Sequence, residues 1–451
     1  VRICDFEWEQ MKKSEISIYQ LSLRVFTPEG TLRAAEKMLP MLADLGPKYI
    51  QLVALTKADD NEDRTYWSNR QIASGTNNPK NSYRMKDYFH VDEEYGTDED
   101  FRDFVKAAHK LGLKIILDLV YLHCGPEAVF MREHPDFIQR DADGKIKLTG
   151  DWAFPRFDYS NDEVREYLWS NMVYWVREFD VDGFRCDVGD AVPLDFWREG
   201  VRRAREVKND LVMINEGKDV SYLDVFDINY FYDGCFDAVQ VAEGNLTAAA
   251  FRAKWDACRN TLPAGRQMLH FTDNHDVASD SGEDRIEKVI GTAGVDALLV
   301  LDFMLDGVPF VFNGYEVADE LKHNMFANRF FGKDPAINWA NIFCEKGQKR
   351  YALLKKLYHL RSEHQALKTA ELNWLENTAA DQVISFCRPA DEKSLLVLVN
   401  MTKVPAVFEV GDIPEMARLM QPILQSNVSW ICKDGKMRVQ MLGFGYLAAE
   451  Y

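Results

Sequence analysis

The feature that most constrains the fold is a rhythm. Short, almost continuous apolar runs alternate with longer segments whose apolar residues recur every three or four positions. ISIYQLSLRVF (16–26) is followed by TLRAAEKMLPMLADLG (31–46), YIQLVAL (49–55), DEDFRDFVKAAHKLG (98–112) and LKIILDLV (113–120). The alternation continues through NDEVREYLWSNMVYWVREFD (161–180), GFRCD (183–187), PLDFWREGVRRAREVKND (193–210), VMINEG (212–217), a strand within VFDINYFYDG (225–234), RQMLHFTD (266–273), a helix near 285–305 and PFVFNG (309–314). Strands that read as unbroken apolar runs are parallel strands covered on both faces. Interleaved with helices in this number, they predict a (β/α)8 TIM barrel.

Two segments break the rhythm. Residues 124–160 are rich in Pro, Gly and Asp without a sustained period, which predicts a short irregular insertion after the third strand, roofing one side of the cleft. Beyond a helix near 348–363, QVISFCRPA (382–390), SLLVLVNMT (394–402) and AVFEVGD (406–412) alternate and carry turn signals, as strands of an antiparallel sheet do. The expected organisation is a catalytic barrel from 1–123 and 161–371, an insertion at 124–160 and a C-terminal antiparallel β-domain at 372–451. A chain of 451 residues suits a barrel of about 250–400 residues with an appendage.

Three of the apolar runs end on a carboxylate: Asp187 in GFRCD, Glu216 in VMINEG and Asp276 in MLHFTDNHD (268–276). The C-terminal ends of barrel strands converge on one face, so residues far apart in sequence can meet around one substrate there. Cleaving an acetal needs one carboxylate at the anomeric carbon and one protonated carboxyl at the leaving oxygen, and Asp187 and Glu216 are candidates. Arg185 lies two residues before Asp187, on the same face of a strand, where a guanidinium would keep a neighbouring carboxylate ionised. Cys186 then points to the opposite, core face.

Composition narrows the partners. With 54 Lys and Arg against 72 Asp and Glu, the net charge of −18 opposes a polyanionic partner such as nucleic acid. No run approaches the ~18 apolar residues of a membrane-spanning helix. The start VRICDFEWEQ has no signal-peptide pattern. The eight cysteines (4, 124, 186, 235, 258, 344, 387, 432) are scattered without a CxxC pair, which favours free thiols in a reducing compartment, the cytoplasm, over a disulfide framework or zinc site. A secreted location follows only if a signal has been removed. The oligomeric state is not fixed by any sequence feature.

Taken in order, DLVYLH (118–123), GFRCD (183–187), Glu216 and FTDNHD (271–276) resemble the four short motifs of the α-amylase family of glycoside hydrolases. GVPFVFNGYE (307–316), NSYRMKDYFHVDEEYGTDEDF (81–101) and FPRFDYSN (154–161) resemble further family segments. The resemblance covers residues 16–320 and implies an enzyme that cleaves α-1,4-glucosidic bonds in starch-derived glucans or maltodextrins with retention, through a covalent glycosyl-enzyme. It makes Asp187 the nucleophile, Glu216 the general acid and base, and Asp276 the carboxylate that stabilises the charged transition state. It also makes His275 and His123 hydrogen-bonding partners of the central sugar, Tyr83 its stacking platform, Arg185 the residue that positions Asp187, and Asp118 the support of that arginine.

The departures carry information. Leu122 stands where the family's first motif has an Asn that binds a structural Ca²⁺, and Asp190 and Ala191 stand where many members carry Lys and His, the His lending a carbonyl to that ion. A leucine cannot ligate a hard cation, so no metal cofactor is expected. Exo-acting relatives carry an acidic residue three positions before the stacking tyrosine, where this chain has Lys80, which implies an open cleft and internal cutting. Val188 after the nucleophile is shared with relatives that cut α-1,6 bonds. A transglycosylase or an exo-acting α-glucosidase, including one for α-1,6 bonds, remains an alternative on the same fold. A catalytically inactive barrel kept as a binding module is opposed by the presence of all three carboxylates.

Overall fold

The computed structural model describes residues 16–279, 284–332, 336–411, 413, 419–433 and 436–451; Cys4 and the start of the chain, residues 1–15, lie outside them. In chain order the strands are β1 (Ile18–Leu21), β2 (Tyr49–Leu52), β3 (Thr56–Ala58), β4 (Met85–Val91), β5 (Lys114–Leu119), β6 (Gly183–Cys186), β7 (Val212–Asn215), β8 (Ile228–Tyr230), β9 (Gln267–His270) and β10 (Val308–Phe312). Among the described residues, eight of them close a parallel barrel in the order β1-β10-β9-β8-β7-β6-β5-β2, while β3 and β4 pair antiparallel outside it.

Strand period sorts the side chains. Ile18, Tyr49, Ile116, Ile214, Ile228, Leu269 and Phe310 pack together inside the barrel. Their neighbours Tyr19, Ile50, Ile115, Leu117, Phe184, Cys186 and Met213 face the surrounding helices. The surrounding helices follow their local signals. In Asp98–Lys110, Thr97 and Asp100 form a reciprocal capping box, and Phe101, Phe104, Val105 and Ala108 supply one buried stripe.

Several elements are shorter than their sequence periods predict. The run 16–26 is strand only to Leu21, because the Ser22 amide turns to donate to Asn313 Oδ1 at 2.6 Å and a short helix Leu23–Phe26 follows. The helix expected over 31–46 is two, Leu32–Glu36 and Leu39–Leu45, the second carrying Pro40 in its first turn, where the missing N–H cannot continue the first. The helix expected near 285–305 likewise divides into Ile286–Val289 and Gly291–Met304, at a glycine with φ +72°.

The excursion between β5 and the helix Asp162–Phe179 holds only short turns and isolated bridges, among them His123 with Arg156 and Leu148 with Pro155. Phe130, Phe137 and Phe157 anchor it against Tyr88 and Tyr167. The C-terminal strands are β11 (Asn373–Trp374), β12 (Val383–Arg388), β13 (Leu395–Asn400), β14 (Ala406–Val410), β15 (Gln421–Lys433) and β16 (Lys436–Glu450). They form one antiparallel sheet in the order β11-β12-β13-β16-β14, with β15 paired to β16. The sheet is stitched to the barrel through buried Arg388, whose Nη1 donates to Met304 O at 2.8 Å. Among the described residues, no helix is long and apolar enough to cross a membrane.

Candidate active site

On the inner face of the barrel the aliphatic layers give way to polar ones at the C-terminal strand ends. Asp118 on β5 lies in register with Arg185 on β6. Asp187 and Glu216 follow β6 and β7 one strand period beyond Arg185 and Ile214, so all four side chains point the same way. One guanidinium serves three carboxylates. Arg185 Nη1 donates to Asp118 Oδ1 at 2.7 Å and to Asp187 Oδ1 at 2.9 Å, and Nη2 pairs with Glu216 Oε2 at 2.6 Å. Asp118, Arg185 and Asp187 are buried, with Arg185 1% exposed, and Glu216 retains a little more exposure toward the cavity.

The turn between nucleophile and acid candidates is strained. Val188 adopts φ +44°, a left-handed conformation that a β-branched residue rarely takes, and its N–H thereby reaches Glu216 Oε2 at 2.8 Å. The other oxygen, Oε1, accepts from Tyr232 Oη at 2.6 Å. Burial and the charge of Glu216 push Asp187 well above the usual carboxylate range, against the pull of Arg185. Burial raises Asp118 likewise. With other carboxylates close by, like-charge repulsion adds to burial in disfavouring the ionised form of Asp187.

Tyr83, His275 and Gln20 make a hydrogen-bonded relay whose polarity is fixed. The His275 amide donates to Gln20 Oε1 at 3.0 Å, which turns the Gln20 amide nitrogen toward His275 Nδ1, also at 3.0 Å. Nε2 therefore carries the proton and donates to Tyr83 Oη at 2.8 Å, and Tyr83 donates to Asp118 Oδ2 at 2.8 Å. The rings of Tyr83 and His275 stack 5.5 Å apart. His123 donates from Nε2 to Tyr83 O at 3.0 Å, which leaves a buried Nδ1 acceptor without a partner, and burial lowers its pKa to about 4. Burial works against ionisation of Asp276, but His275 and Arg70 outweigh it and hold its pKa down to about 2. Arg70 Nη1 meets Asp276 Oδ1 at 2.7 Å.

These residues surround one cavity of about 120 Å³, lined by Tyr83, His123, Asp187, Glu216, His275 and Asp276 together with Arg70, Trp152 and Phe326. Asp118 and Arg185 lie beneath its floor. Residues 10–156 and 148–330 match the family model described as alpha amylase, catalytic domain. The chain belongs to the α-amylase family of glycoside hydrolases.

Within the α-amylase family, the chain is similar to a noncanonic maltogenic α-amylase, AmyB, from Thermotoga neapolitana. The TM-score is 0.81 at 26% identity over 97% of this chain and 99% of that one. It is 26% identical over 402 residues to a maltogenic α-amylase of Bacillus acidopullulyticus, covering 79% of this chain and 64% of that protein. A cyclomaltodextrinase of a Bacillus species is 24% identical over 83% of this chain and 66% of its own length. The chain thus spans under two thirds of the length of these curated relatives.

The family's structural calcium does not fit the residues present. Leu122 is buried among apolar side chains, and Ala191 O accepts from Arg156 Nη2 at 3.3 Å, so a guanidinium faces the carbonyl that would otherwise serve an ion. Elsewhere among the described residues, Asp59, Asp60 and Glu127 cluster, but Lys86 Nζ sits 2.6 Å from Asp60 and 3.4 Å from Glu127. Exhaustive chelation is therefore expected to leave the melting temperature within about 2 °C of its starting value. A larger fall that Ca²⁺ alone restores would contradict this, since a tightly bound ion stabilises only the native state.

Sequence reasoning missed Tyr232, Arg70, Gln20, Met325 and Phe326. Tyr232 had a signal, because Ile228, Tyr230 and Tyr232 share one strand face. Lys80 itself does not line the cavity: its ammonium is taken up by Asp92 and Glu93, each 2.9 Å away.

Proposed function

We propose that this α-amylase family member is a retaining hydrolase of α-1,4-glucosidic bonds in maltodextrins. The observation that carries the reading is the single guanidinium shared by Asp187 and Glu216, one oxygen on each terminal nitrogen. That arrangement suits the ~5–5.5 Å carboxyl pair of a retaining enzyme better than the ~6.5–9.5 Å gap an inverting enzyme keeps for water.

In this mechanism Asp187, aligned by Arg185, attacks the anomeric carbon while Glu216 delivers its proton to the departing glycosidic oxygen. Glu216 then takes a proton from water, which displaces Asp187 and restores the original anomeric configuration. Asp276, anionic at neutral pH, opposes the positive charge that develops on the ring. Neutral His123 offers Nδ1 as an acceptor to a sugar hydroxyl. The α-1,4-glucan substrate class is supported by relatives named maltogenic amylase and cyclomaltodextrinase.

The described cysteines are free thiols, and one relative is an intracellular maltogenic amylase of Bacillus subtilis; both support a cytoplasmic location. The test of function is release of reducing ends from maltoheptaose and from isomaltose. Faster hydrolysis of maltoheptaose is expected, and preference for isomaltose would redirect the assignment to α-1,6 bonds.

A further inference from the structure

On the side facing the acid the catalytic cavity is lined by residues of two segments that are bonded to each other. In the barrel order, β1 lies diametrically across from β7, the strand that Glu216 follows. The segments flanking β1 are those after β2 and after β10, and they meet over the cavity. Arg70, in the short helix Asn69–Ala73, places its guanidinium 5.9 Å from the centre of the Phe326 ring while bonding Asp276. Asn78 Nδ2 donates to Phe326 O at 2.9 Å and Thr76 Oγ1 does so at 3.4 Å. Arg24, just beyond β1, ties the same two segments together by donating to Met325 O at 2.5 Å and to Lys80 O at 3.3 Å. On a third side Asn69 Nδ2 donates to Asp151 Oδ1 at 2.9 Å and fastens the helix to the insertion.

A pyranose whose C1 lies at Asp187 and Glu216 points its C4 to the opposite end of the ring, toward Arg70, Met325 and Phe326. The cavity, about 120 Å³, is well below the ~300–1,000 Å³ of sites that take larger ligands. Arg70, Met325 and Phe326 all belong to its lining, on the side across the barrel from Glu216.

We propose that Arg70 and Phe326 form a wall that limits the site to the non-reducing terminal glucosyl unit of its chain, with Arg70 recognising the hydroxyls of that terminal ring. The inference rests on the hydrolase reading above, and it replaces the open cleft expected from Lys80.

The test compares maltoheptaose with the same chain capped by an ethylidene group on O4 and O6 of the non-reducing end, with products followed by chromatography. The wild-type protein is expected to release glucose first from the free chain and to cut the capped chain at least about 100-fold more slowly. Phe326→Ala and Arg70→Ala are each expected to raise the capped-to-free rate ratio at least tenfold. Cutting of the capped chain within about threefold of the free one, or maltose as the first product, would overturn the wall. Hydrolysis of neither chain would remove the hydrolase reading itself, and this inference with it.

Discussion

Asp187→Asn is expected to lower kcat on maltoheptaose by at least about 10³-fold while the protein remains folded, because the substitution removes the atom that bonds to the anomeric carbon. Glu216→Gln and Asp276→Asn should fall by a similar factor for different reasons. The first cannot donate or accept the proton, and the second loses the anion that faces the developing positive charge. The three can be told apart by leaving group. An α-glucosyl fluoride needs no proton on departure, so Glu216→Gln should recover glycosyl-enzyme formation on it, whereas Asp187→Asn should not. An Asp187→Asn protein retaining more than a tenth of wild-type activity would end the nucleophile assignment.

The second large effect concerns Arg185. Among the described residues it is the cation bonded to Asp118, Asp187 and Glu216 at once, so Arg185→Met leaves buried Asp118 and Asp187 and the largely buried Glu216 without it. Removing one partner of a buried ion pair costs about 3–5 kcal/mol, and that loss of stability is expected near neutral pH. The pH dependence has a definite sign. Asp118 and Asp187 titrate above their ordinary values in the folded protein, so the native state binds more protons than the unfolded one. The stability these two groups contribute therefore falls as pH rises from the unfolded carboxylate value of about 3.9 through the raised native values. Without Arg185 this fall becomes steeper, and the variant should approach wild-type stability on acidification toward pH 4.5. Urea midpoints at pH 7.5 and 4.5 measure it, and an equal deficit at both values would show that the arginine acts through packing alone.

Much of the site was legible because strand geometry is local. Asp187 and Arg185 share a face by period two, and the apolar runs that end at Asp187, Glu216 and Asp276 place all three at the strand ends that a barrel gathers. Arg70 and Phe326 were not legible, since a one-turn helix and an irregular segment carry them, and the positions of both depend on long-range bonds such as Asn78 to Phe326 O and Arg24 to Met325 O. The long hairpin of β15 and β16 also escaped notice. Its register shifts between Pro422 and Leu424 and between Ser426 and Val428 interrupt the alternation that marks a strand. Pro40 and Gly291, by contrast, carried their helix breaks in plain view.

The most direct test of the account is proton NMR of the first sugars released from maltoheptaose, recorded before mutarotation. If Asp187 and Glu216 act as a covalent nucleophile and an acid–base, the α-anomer appears first and the β-anomer grows in only as the sugars equilibrate. The β-anomer appearing first would mean direct attack by water, and it would contradict the glycosyl-enzyme on which the assignment of Asp187 rests.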